Sequence, residues 1–239
     1  MDDLRDYMVA RPPTALRPLL GVTVLIVEDS RYTCEAVRLM CMRSGARIRR
    51  ANSLCAAMKH LSIYRPGVVI VDIGLPDGSG LDLIRQLSEA QPRIEVIFAT
   101  SGDPDLAASA VEAGADAFLT KPFGSIAEFQ TAILSHLPKD RHPPGPRAVT
   151  AERVRPDPLA YHDDLQHVAT LLERDTSDVA LEYAIQFLQG LAVSAEDHEL
   201  LAATEAVRQP SGTTGRSGPH LSRLTALVRA RLERSKAAL

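Results

Sequence analysis

The sequence predicts an α/β fold, a doubly wound five-stranded parallel sheet, followed by a small all-α domain. Three observations predict it. Between about residues 21 and 137, short β-branched apolar runs alternate with stretches of helical spacing. Those runs are apolar throughout instead of alternating with polar residues, which marks strands covered by helices on both faces. After Pro158 the strand signal vanishes and only helical stripes remain.

The strand runs are Val22–Val27, Val68–Val71 and Ile94–Ala99, with weaker candidates at Ala46–Ala51 and Asp116–Thr120. Helical spacing falls at Tyr32–Met42, Leu54–Leu61, Leu81–Ala90, Asp105–Ala113 and Ile126–Leu137, with Ser53 and Ser125 as N-caps. Pro12, Pro13 and Pro18 forbid a long helix in the first 20 residues. The expected organisation is an N-terminal extension over 1–20, the α/β domain over 21–138, a Pro-rich linker over 139–158 and a helical domain over 159–239. In the last, Leu165, Val168, Leu171 and Leu172 share one helical face. Leu181, Ile185, Leu188 and Leu191 share another, after the caps Thr176 and Ser177. Ser194 with Asp197 resembles a capping box opening a helix through Val207. Gln209 to His220 reads as a loop, and Leu221, Leu224, Val228 and Leu232 line a last helix.

Composition narrows the class. A formal net charge of −3 removes any whole-chain argument for nucleic acid. No apolar run approaches the length needed to span a bilayer, and no signal peptide is evident, so a cytoplasmic location is expected. Cys34, Cys41 and Cys55 lack paired metal-ligand spacing and read as buried or half-buried reduced thiols.

In a doubly wound sheet, functional residues gather past the carboxyl ends of the strands. Here those ends carry Glu28 and Asp29, then Asp72, then Thr100, then Lys121 and Pro122. Three carboxylates, a hydroxyl and an ammonium therefore meet in one pocket. Like carboxylates repel at short range, so the cluster calls for a cation, and Mg²⁺ takes oxygen ligands of this kind. A carboxylate so placed can attack phosphorus, while a lysine and a hydroxyl stabilise the transferring group.

Over residues 21 to 137 the chain resembles the receiver domain of bacterial two-component response regulators, a flavodoxin-like fold of the chemotaxis-regulator kind. The resemblance rests on Glu28-Asp29, the run from Asp72 to Gly80, Thr100, the turn Gly114-Ala115-Asp116, Phe118 and Lys121-Pro122, in that order. It implies that Asp72 is the phosphoacceptor, taking its phosphoryl group from a histidine kinase or histidine phosphotransfer protein. Asp29 and Asp72 would ligate Mg²⁺, with Glu28 acting mainly through water and the Gly74 carbonyl as a further ligand. Thr100 and Phe118 would form the switch, Lys121 would pair with the phosphoryl group, and Lys121–Pro122 would be cis. Ser101 departs from the family's usual Ala or Gly and would narrow access to that group, while Gly74 would leave space for a hydrolytic water.

No separate enzymatic output is recognised, so the second half reads as a protein-interaction or dimerisation unit with an unknown partner, a homodimer included. His198-Glu199-Leu200 lacks the rest of a kinase phosphoacceptor motif, and His162 has less context still. Residues 139–239 hold 13 Lys and Arg against 14 Asp and Glu, and a recognition helix near Ala195 would open with Glu196, Asp197 and Glu199. DNA binding is therefore disfavoured. The last helix is the basic exception, carrying Arg216, Arg223, Arg229, Arg231, Arg234 and Lys236. The alternatives are a transcriptional regulator with an atypical DNA-binding output, and a phosphate shuttle or sink.

Overall fold

A computed structural model describes residues 12–146, 151–174, 177–208 and 218–237. Its sheet is formed by β1 (Thr23–Val27), β2 (Arg47–Ala51), β3 (Val68–Asp72), β6 (Val96–Ser101) and β7 (Ala117–Thr120), all parallel in the order β2-β1-β3-β6-β7. The continuous apolar strands behave as expected, because alternate residues feed two cores. Leu25, Val69 and Ile97 pack with α2 (Leu54–Ile63), α3 (Gly80–Glu89) and α4 (Ala107–Glu112). Val24, Ile70 and Phe98 pack on the other face with α1 (Arg31–Ser44) and α5 (Ile126–His136).

The helix starts follow side-chain chemistry. Ser53 Oγ accepts from the Ala56 amide, and Ser125 with Glu128 closes a capping box on α5. Ser30 caps α1 through the Thr33 amide, a start one residue earlier than the apolar spacing suggests. The stretch expected as one helix over Asp105–Ala113 opens as a 3₁₀ turn at Pro104–Leu106 before α4. A two-stranded hairpin, β4 (Gly74–Leu75) with β5 (Gly78–Ser79), follows β3 and is too short to leave a periodic signature. Cys34 and Cys41 are buried, and burial pushes both thiols up to about 12. Cys55 corrects the expectation: it is exposed on α2.

Four helices complete the described chain: α6 (Pro158–Arg174), α7 (Asp178–Ser194), α8 (His198–Arg208) and α9 (Gly218–Ala237). Their stripes meet in a third core that includes Leu165, Leu188, Leu191, Leu200, Leu224 and Val228. The Ser194–Asp197 capping box does not form, because Ser194 ends α7 and Asp197 Oδ1 instead accepts from the Leu200 amide. Glu196, at φ 55, makes the sharp turn between the two helices. Asp197 also receives a two-pronged contact from Arg231 (2.8 and 3.0 Å) and the Tyr161 hydroxyl (2.8 Å), so part of the basic face of α9 is spent holding α6 and α8. Within the expected loop, Gly218–His220 are helical. Residues 1–11, Thr176, Arg216 and 209–217 lie outside the described residues, as do 147–150 in the linker.

The described end of the linker is anchored. The Glu152 carbonyl accepts from the Ile126 amide, Glu152 pairs with Arg43, and Val154 packs on the α1–α5 core. Among the described residues, no helix is long and apolar enough to cross a membrane.

The Asp197–Arg231 contact carries a pH dependence. Arg231's hydrogen bonds hold the Asp197 carboxyl down at about 2, below its usual 3.8. A depressed acid pKa adds stability above the unfolded value and loses it as pH falls toward the folded one. Urea titrations should therefore show stability falling between about pH 4 and pH 2, with an Asp197→Asn variant flatter across that window.

Candidate functional site

The parallel sheet delivers its chemistry where β1, β3, β6 and β7 end. Asp72 closes β3 in register with Thr100 of β6, which itself lies beside Leu119 of β7. Lys121 Nζ donates to Asp72 Oδ1 at 2.9 Å and stands 2.6 Å from Glu28 Oε2. The lysine is 4% exposed and Glu28 1%, so this pairing is screened by little water. Asp72 Oδ2 accepts from the Gly74 amide at 3.2 Å.

One ammonium does not balance three carboxylates. Burial, opposed by Lys121 and reinforced by Asp72, holds the Glu28 carboxyl well above the usual carboxylate range. Burial and the Asp72 charge push Asp29 up to about 6, while the Tyr183 hydroxyl pulls it back down. Burial works against the charged form of Lys121, yet Asp72 and Glu28 more than offset it and raise its pKa.

The residues fit a divalent cation. Oxygens of Glu28, Asp29 and Asp72 come within 4.8 Å of one another. Glu28 Oε2 is buried against Lys121 Nζ at 2.6 Å, and the same ammonium is shared with Asp72. Three carboxylates sharing one ammonium form an oxygen-only donor set with negative charge left over, which suits a hard ion such as Mg²⁺.

The other expected residues fall around this centre. Thr100 is fully buried, and its hydroxyl donates to the Leu119 carbonyl at 2.7 Å. Phe118 is partly buried against the core beneath α2, α3 and α4. The Ser101 hydroxyl accepts from the Asp103 amide at 3.1 Å. Lys121–Pro122 is cis, as the resemblance implies. The run after Asp72 has local reasons: Asp77 accepts from the Leu54 and Cys55 amides at the start of α2. At Gly80 a Cβ would collide with the Asp72 carbonyl.

Sequence reading missed the fourth wall. The α6–α7 hairpin lies over the pocket. The Tyr183 hydroxyl donates to Asp29 Oδ2 at 2.6 Å. A Cβ on Gly74 would run into the Gln186 side-chain amide, so the space directly over Gly74 is occupied by that side chain of α7. Asp164, 2% exposed, accepts from Ser30 Oγ (2.8 Å), the Arg31 amide (2.9 Å) and the Tyr32 amide (3.0 Å). Thr33 donates to Ser194 at 3.1 Å, and Arg31 pairs with Asp163 at 2.6 Å. A cavity of about 500 Å³ remains between the layers, bordered by Asp29, Asp72 and Lys121 below and by Gln186, Phe187 and Arg208 above. His198 is exposed at the start of α8, and His162 is half-buried on α6. The signal for Asp164 and Tyr183 was slight: two polar residues beside apolar stripes, at positions normally given to solvent.

A parallel five-stranded sheet with an acidic pocket and a lysine at its carboxyl end defines a receiver. Residues 24–134 match the family model described as the response regulator receiver domain. Residues 24–134 are thus a response regulator receiver domain. The chain is 36% identical over 162 residues to the KDP operon transcriptional regulatory protein KdpE of Escherichia coli K12, a match covering 66% of each chain. It is 35% identical over 101 residues to the response regulator protein TmoT of Ectopseudomonas mendocina, covering 42% of this chain and 46% of that one. The chain thus spans about two thirds of the one relative and under half of the other. Among solved structures, the chemotaxis response regulator CheY4 of Vibrio cholerae matches at 21% identity and a TM-score of 0.45, covering 48% of this chain and 98% of that one.

Removing the ammonium should expose the charge imbalance. Lys121→Met leaves Glu28 and Asp72 buried without their cation, at a cost of about 3–5 kcal/mol. Its melting temperature should fall in metal-free buffer and recover in part with millimolar Mg²⁺. A Leu188→Ala variant, damaged in the helical core, should not recover.

Proposed function

We propose that Asp72 is the phosphoacceptor of a response regulator whose receiver controls the α6–α9 helices. The observation that carries this is that Asp72 stands 2.9 Å from Lys121 Nζ and in one acidic cluster with Glu28 and Asp29. An Asp72 oxygen attacks phosphorus, the phosphorus–nitrogen bond of a phosphohistidine donor breaks, and the imidazole leaves with a proton. Lys121 is already within bonding distance of the nucleophile and neutralises charge on the arriving oxygens. Thr100 must turn from the Leu119 carbonyl to donate to the phosphoryl group, and Phe118 follows into the space released. Asp29, Asp72, the Gly74 carbonyl and Glu28 would hold a divalent cation, which would supply further neutralisation of that charge. The receiver assists its own phosphorylation and dephosphorylation and is not an enzyme in the usual sense. Its partners are a histidine kinase or phosphotransfer protein, and either a second copy or another protein for the helices.

A second reading, a DNA-binding output, is favoured by the description of KdpE as a transcriptional regulatory protein. Against it, Asp197 and Glu199 stand at the start of α8, and Arg231 of α9 is committed to both. A gel shift that weakens steeply with salt would support it.

Incubation with phosphoramidate and Mg²⁺ tests the first reading. Wild type should acquire one acid-labile phosphoryl group by intact mass, and Asp72→Asn none. Equal labelling of the two would sink the assignment. In light scattering with beryllofluoride, a mass change in wild type but not in Asp72→Asn marks a homodimer output, and no change directs the search to another partner.

A further inference from the structure

We infer that the α6–α7 hairpin selects the phosphoryl donor: as folded, the chain accepts from a small molecule, and a protein donor must first displace α7. This rests on the reading of Asp72 as phosphoacceptor.

Tyr183, Gln186, Gly190 and Val193 recur at three- and four-residue spacing and so share one face of α7. Tyr183 sits on Asp29, Gln186 on Gly74 and Val193 on Gly102, while Gly190 borders the cavity. From Tyr183 to Val193 the helix advances about 15 Å, so it bridges the mouth from the β1 end to the β6 end. A histidine carried on a helix needs its own carrier, about 10–12 Å thick, directly over the mouth. That layer is already filled by α7. A cavity of about 500 Å³ does accommodate a donor of a few heavy atoms beside Asp72 and Lys121.

The hairpin is held by directional contacts. Asp164 takes three hydrogen bonds at the start of α1, which directly follows the Glu28–Asp29 pair. Tyr32 packs edge-on against Tyr161 with ring centroids 5.8 Å apart, and joins the helical core. Displacement therefore breaks contacts that a small donor leaves intact.

Two variants open the hairpin from opposite sides. Asp164→Arg puts a cation against Arg31, and Arg31→Asp, at an exposed position, sets an acid against Asp163 and Asp164 without touching the helical core. Hydrogen exchange at the Arg31 and Tyr32 amides reports the opening. The donors are phosphoramidate and a designed helical hairpin carrying one phosphohistidine. Phosphoramidate should label wild type and both variants at similar rates. The helical donor should label both variants at least about tenfold faster than wild type, as expected when a dominant closed state must open first. Equal labelling of wild type and variants by the helical donor overturns the inference. So does failure of that donor on all three proteins, or an equal gain with phosphoramidate. No phosphoramidate labelling in wild type, or equal labelling of Asp72→Asn, overturns the phosphoacceptor reading instead.

Discussion

Glu28 and Asp72 are buried on either side of Lys121, and much of the molecule is arranged so that this can persist. A lone carboxylate in such a place would be strongly disfavoured, and two would repel. The lysine arrives from the end of β7 and the acids from β1 and β3, so the charges meet only when the strand order is correct. The pocket is thus both a product of the sheet and a check on its register. Its remaining negative charge is what makes it useful, because it leaves the site receptive to a cation and to a group that brings cations with it.

The receiver was legible because its information is local. A strand end is marked by where an apolar run stops, and each functional residue stands at such a stop. The cap residues Ser53 and Ser125 announced themselves by type and spacing. The helical half was legible as stripes, and Leu165, Leu188 and Val228 did pack together. What the stripes could not say is what lies against the rest of each helix. Tyr183 and Gln186 look like solvent-facing positions until Asp29 and Gly74 are found beneath them. Ser194 and Asp197 fit a capping box by spacing, but Ser194 ends α7 and meets Thr33, while Asp197 itself caps α8 and also holds Arg231.

Contact between Tyr183 and Asp29 ties two equilibria together. If docking of the hairpin changes how readily the pocket accepts a ligand, that ligand must change docking by the same factor. The receiver and its helices share a boundary at the chemical centre itself, so no long relay between them is required. The bond to Asp29 is made by an uncharged phenol, which supports the carboxylate without adding charge to a crowded site.

The anchored linker sets how strongly the hairpin holds its place. The Glu152 carbonyl is fixed to α5 by the Ile126 amide, leaving only residues 153–157 before α6 begins at Pro158. Fully extended, that stretch reaches roughly 20 Å. A tether this short keeps the displaced hairpin at an effective concentration on the order of millimolar near its own docking site. A free competitor of equal intrinsic affinity, present at cellular micromolar levels, would lose to it by about a thousandfold. A successful partner must therefore bring better contacts, or be held close to the receiver itself.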